Sequence, residues 1–149
     1  QPCLTLTECL AIRARTSLPM VIDELVTGIG TLLEAYEKGA MDVINIKLSR
    51  VGGLTKARQI RDLAQTLGLG LTLEDSHGGD IITNAIAHLV GSTRPEFLFA
   101  STDQNSYNKE RLAEDAPRRK DGRLPVPTAP GLGIHVDESA LGEPVFTVS

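Results

Sequence analysis

The sequence predicts an α/β fold in which parallel strands alternate with helices, and three observations carry that expectation. Short apolar runs rich in β-branched residues alternate with longer runs of helical period. Their polar ends, at Asp23, Lys47, Glu74 and about Ser101, recur every ~24 to 27 residues, the length one strand–helix unit needs. Glycine pairs, Gly52-Gly53 and Gly78-Gly79, follow two of those ends, where a tight turn into a helix is required.

TLTECLAIRART (5–16) reads as a helix opened by a capping box, Thr5 with Glu8 three residues on. PMVID (19–23) is a short buried strand introduced by proline. GTLLEAYEKGA (30–40) is a helix with Leu32, Leu33 and Tyr36 on one face and Gly39 at its end. DVINIK (42–47) is a strand. LTKARQIRDLAQTLG (54–68) is a helix with an apolar stripe of Leu54, Ala57, Ile60, Ala64 and Leu67, and with Lys56, Arg61 and Asp62 on its other faces. GLTLE (70–74) is a strand, DIITNAIAHLVG (80–91) a helix with Asp80 as its N-cap, and EFLFAS (96–101) the last strand. Beyond 103 the regularity ends. Residues 108–123 are charged and read as a surface loop or mobile segment, and the prolines and glycines of 124–136 allow only extended or turning chain.

The composition narrows the function classes. A chain of 149 residues, 41% hydrophobic, suits one domain with a real core. A net charge of -4 gives no basic footprint for nucleic acid. No apolar run approaches the ~18 residues of a membrane span, and QPCLTLTECL lacks the pattern of a signal peptide. Cys3 and Cys9 lack metal-knuckle spacing and read as packed or free thiols, in keeping with a reducing, cytoplasmic setting.

Four parallel units make either an open doubly wound sheet or half of a (β/α)₈ barrel. DELVTGIG (23–30) matches a nucleotide-binding turn poorly, having only Gly28 and Gly30. In both architectures the C-terminal strand ends share one rim, and here every unit delivers polar groups to it, at least one of them ionisable: Asp23 and Glu24, Lys47 and Arg50, Glu74, Asp75 and His77, Thr102 and Asp103. The Asp23-Glu24 carboxylate pair can hold a hard divalent cation. A partly desolvated lysine near a metal has a lowered pKa and can take a proton α to a carboxylate.

PMVIDE, NIKLSRVGGLTKARQIRDLAQTLGL, TLEDSHGGDIITNAIAHL and VPTAPGLGIHVD, in that order and spacing, resemble the C-terminal half of the mandelate racemase/muconate lactonising enzyme family of the enolase superfamily. KLSRVGGL before a helix is the most specific part of the likeness. EDSHGGD and STDQNSYN resemble most the cis-3-hydroxy-L-proline dehydratases and related enzymes of proline derivatives. The resemblance implies part of a (β/α)₈ barrel over residues 1–102 and a segment, 103–149, returning to a capping domain. It implies Asp23 as a metal ligand on the fifth barrel strand with Glu24 supporting it, and Lys47 as the acid/base on the sixth. Glu74 and Asp75 would face the substrate, Ser76 and His77 line the pocket, and Thr102 and Asp103 close it. At His77 related dehydratases tend to carry an aromatic residue.

By the same resemblance the cofactor is Mg²⁺, with Mn²⁺ as an alternative. The substrate is a small carboxylate, and the full-length protein is a homo-oligomer. The implied reaction is dehydration of a hydroxyproline through an enediolate, with racemisation or epimerisation and cycloisomerisation as alternatives. The family's other two metal ligands and its second lysine have no counterpart in the 149 residues, so a longer parent protein is expected. A non-catalytic half-barrel needing a partner chain, and a phosphate binder built on the two glycine turns, are readings of another class.

Overall fold

The structure is a computed structural model that describes residues 3–147; Gln1 and Pro2, with which the sequence opens, and the last two residues lie outside it. Four strands, β1 (Val21–Ile22), β2 (Val43–Lys47), β3 (Gly70–Glu74) and β4 (Leu98–Ser101), form one parallel sheet in chain order. Helices α1 (Leu6–Arg13), α2 (Ile29–Glu37), α3 (Leu48–Val51), α4 (Leu54–Thr66) and α5 (Gly79–Gly91) flank and connect them. Side-chain alternation splits the sheet into two faces. Ile44, Ile46, Leu71 and Leu73 have no exposed surface and pack in one cluster with Leu32, Ala57, Ile60 and Ile86 of the helices. Asn45, Lys47, Thr72 and Glu74 point to the other face, and the parallel register sets Asn45 beside Thr72 and Lys47 beside Glu74.

Each helix end has a local cause. Thr5 and Glu8 form the expected capping box at α1. Helix α1 stops at Arg13, whose guanidinium grips Asp42 at 2.5 and 2.9 Å; Asp42 also accepts from Met20 N at 2.8 Å. Strand β1 is shorter than the expected 19–23, because the chain turns at Asp23, whose carbonyl accepts from Val26 N. The core side of α2 is Leu32 with Ala35, whereas Leu33 and Tyr36 form a neighbouring exposed stripe. Arg61 is buried rather than outward: its guanidinium binds Ser92 Oγ at 2.7 Å and the Leu89 carbonyl, which ties α4 to the end of α5.

Three features near the strand ends differ from expectation. KLSRVGGL contains a separate helical turn, α3, before the glycine pair, and Gly52 and Gly53 (φ +87° and +98°) make the bend into α4. Asp80 is not the N-cap of α5. Gly78 holds that position at φ +126°, where a Cβ would lie 2.1 Å from Ile82 Cγ1, and Asp80 falls inside the first turn and is buried. Glu96 and Phe97, the first residues of the last expected strand, instead belong to a 3₁₀ turn, Pro95–Phe97. The charged stretch 108–123 lies mostly at the surface, as expected, with Ala113 and Ala116 buried and Lys120 paired with Arg123. Residues 124–136 carry no helix or strand. Among the described residues no helix is long and apolar enough to cross a membrane.

The Arg13–Asp42 pair binds α1 to the start of the sheet, and Arg13 holds the Asp42 carboxyl below its ordinary value, helped by Met20 N against the effect of burial. The pair is partly solvated, so Asp42→Ala should cost about 1 kcal/mol at about pH 7 by urea denaturation. A depressed folded-state pKa stabilises fully above the unfolded value, about pH 4, and less as pH falls through the folded one. The difference between wild type and variant should therefore shrink on acidification.

Candidate active site

The strand tips meet in one network of charges. Asp23, fully buried as a side chain, sits at the end of β1 between two cations. Arg50 Nη1 donates to Asp23 Oδ1 and to the Asp23 carbonyl, each at 2.6 Å. Lys47 Nζ lies 2.8 Å from Asp23 Oδ2, so each oxygen of the buried carboxylate faces a cation. Glu24 adds a third carboxylate oxygen, 3.3 Å from Lys47 and 3.4 Å from Arg50. Glu74 Oε1 is 3.6 Å from Lys47 Nζ and accepts from Asn45 Nδ2 at 2.6 Å.

Helical geometry explains the two cations. Lys47 is the N-cap of α3 and Arg50 lies three residues on, so one turn aims both side chains at Asp23. Burial works to lower the Lys47 pKa, but the Asp23 and Glu24 contacts outweigh it and hold the ammonium above its ordinary value. Within this chain the carboxylates around Lys47 favour its charged form.

The remaining expected residues divide into two groups. Glu74, Ser76, His77 and Thr102 line a groove of about 770 Å³. Asp75 is buried and used within the loops: it accepts from Ser49 N at 2.7 Å, from Ser49 Oγ at 2.5 Å and from Ser76 N at 2.7 Å. Asp103 is also buried, bonded to Ser106 Oγ and paired with Arg119 at 3.3 Å, beside a separate cavity of about 380 Å³. Asn45 was not singled out from the sequence, although its place two residues before Lys47 puts it on the same face. Gln104, Tyr107, Asn108 and Lys109 were missed too, and they form the outer side of the groove.

Among the described residues no three His, Cys, Asp or Glu side chains converge as a metal-ligand set. Asp23 and Glu24 nevertheless supply hard carboxylate oxygens from adjacent residues at one strand end, which fits part of a Mg²⁺ site completed by other ligands.

The rim of ionisable strand ends on a parallel α/β sheet defines a class of enzyme scaffold, and comparison with known proteins names the family. The enolase C-terminal domain-like family model matches residues 1–140, and the chain belongs to that family. It is 52% identical, over its whole length and 41% of the relative's, to a cis-3-hydroxy-L-proline dehydratase from Roseibium aggregatum. It is 30% identical, over 84% of the chain and 34% of the relative, to an N-succinylamino acid racemase from Thermus thermophilus. It superposes with a TM-score of 0.92 and 37% identity on a member of the enolase superfamily from Roseovarius nubinhibens ISM complexed with magnesium, covering 98% of this chain and 40% of that one. The chain thus spans about two fifths or less of these relatives. The fold is that of the enolase-superfamily barrel, and the relatives are enzymes of that superfamily.

Arg50 neutralises a carboxylate that has no solvent, so Arg50→Met should destabilise by about 3 kcal/mol in chemical denaturation. Adding Asp23→Asn should recover part of that loss, because the uncompensated charge is then removed.

Proposed function

We propose that this chain forms the acid/base half of a dehydratase acting on a small α-amino carboxylate of the cis-3-hydroxy-L-proline type. The observation that carries the reading is Lys47 held by Asp23, Glu24 and Glu74, the last of which also lines the groove, and the 52% identity with a dehydratase of that substrate supports it. Residues 103–149 are read as the segment that leads back toward a capping domain.

In this reading Asp23, with Glu24 beside it, holds a divalent cation, Mg²⁺ before Mn²⁺; when bound it supplies Lewis-acid stabilisation of charge on the substrate carboxylate. Lys47 moves the proton on one face of the α-carbon. As a base it must first lose its own proton, which requires the charge of Asp23 and Glu24 to be offset; as an acid it is ready in the form these neighbours stabilise. Dehydration breaks the Cα–H bond, and its electron pair forms the Cα–Cβ double bond as the β-hydroxyl leaves, protonated, as water. Glu74, oriented by Asn45, meets polar groups of the substrate in the groove that Ser76, His77 and Thr102 also line. Asp75 and Asp103 shape the surrounding loops.

Conversion of cis-3-hydroxy-L-proline by the protein expressed from its own gene should stop in chelator and return with Mg²⁺. It should fall by about 100-fold or more in Lys47→Ala. Turnover that survives both treatments rules the reading out.

A further inference from the structure

Asp80 carries an interaction that the strand-tip chemistry does not use. It stands in the first turn of α5, where a carboxylate ordinarily favours the helix N-terminus from the solvent side. Here it is only 2% exposed and faces residues 105–113 instead. Oδ2 accepts from Leu112 N at 2.9 Å and Ala113 N at 3.2 Å. Oδ1 accepts from Asn105 Nδ2 at 3.0 Å and from the Arg111 guanidinium at 3.4 Å. Asn105 N in turn donates to Thr83 Oγ1 of α5 at 2.8 Å.

Contact with the helix backbone is equally close. Gly79 has φ +51°, and a Cβ there would lie 2.9 Å from Asn108 Nδ2 and 3.5 Å from Leu112 Cδ1. Asn105 and Leu112 are thus the two feet of a short arch. Between them Tyr107, Asn108, Lys109 and Glu110 are exposed and line the groove that Glu74, Ser76 and His77 also line. Burying a carboxylate is costly unless donors surround it, so the four donors and the buried charge hold one another in place. Burial pushes the Asp80 carboxyl upward, but Asn105, the Leu112 and Ala113 amides and Arg111 together bring it below its ordinary value.

We propose that Asp80 is a positioning residue that fixes residues 105–112 as the outer wall of the groove, and that Tyr107, Asn108 and Lys109 on this wall select among small carboxylates through the part of the substrate remote from Lys47. The selectivity half of this proposal rests on the groove being the substrate site. The anchoring half does not.

Asp80→Asn keeps the shape and removes the charge, and its amide faces backbone or side-chain N–H groups with a donor of its own. In the protein expressed from its own gene, trypsin should cut after Lys109 or Arg111 about tenfold faster in this variant. KM for cis-3-hydroxy-L-proline should rise about tenfold while kcat stays within about threefold. The exposed wall variants Tyr107→Ala and Lys109→Ala should change the ratio of kcat/KM between two carboxylates of different ring substitution by about fivefold. A folded Asp80→Asn protein with wild-type cleavage and KM overturns the proposal. If that variant does not fold, Asn105→Ala takes its place in the cleavage experiment, and unchanged cleavage there overturns the anchor. Unchanged selectivity in both wall variants overturns the role of the wall. Absence of any carboxylate turnover in the wild type defeats the dehydratase reading and with it the selectivity role, while the cleavage comparison still decides the anchor.

Discussion

Compensation of one buried carboxylate organises the rim. Asp23 has no exposed side-chain surface, and an ionised carboxylate in that position is tolerated only beside compensating charge and donors. Arg50 and Lys47 provide both, and they reach Asp23 because α3 adds a helical turn directly after β2. The turn then needs Gly52 and Gly53, at positive φ, to enter α4. Sequence, backbone and charge therefore depend on each other at this corner.

The sheet extends that arrangement sideways. Parallel register brings Glu74 opposite Lys47, and Asn45, one alternation earlier, aims Glu74 by donating to it. Asp75 next in sequence points the other way and caps the start of α3 through Ser49. Adjacent acids in EDSHGGD thus divide their work: Glu74 joins the groove, and Asp75 ties the loop after β3 to the turn after β2. The second tie, from Asp80 to residues 105–113, closes the groove on the side of β4.

Much of this was legible in the residues because strand ends follow from simple periods. GLTLE ends at Glu74 as expected, and KLSRVGGL already showed a charged tip followed by a glycine turn. The misreadings share a cause. Asp80 and Arg61 are polar side chains on segments where polarity ordinarily means solvent, yet each is buried against partners that lie far along the chain. Asp80 at a helix start looks like a cap, since capping is a local rule and Asn105 and Leu112 are not local. The single turn α3 escaped for a different reason: four residues are too few to show a helical period. The groove's outer wall comes from an irregular segment whose charges carry no periodic signal at all.

The most direct test of Lys47 as the proton carrier is solvent deuterium incorporation at the substrate α-carbon, which reports proton removal whether or not the hydroxyl leaves. Cis-3-hydroxy-L-proline and its deoxy analogue L-proline would be incubated in D₂O with the protein expressed from its own gene and with its Lys47→Ala variant. The account predicts Mg²⁺-dependent α-deuteration by the wild type that falls by about 100-fold in the variant. Equal deuteration by the two proteins would contradict it.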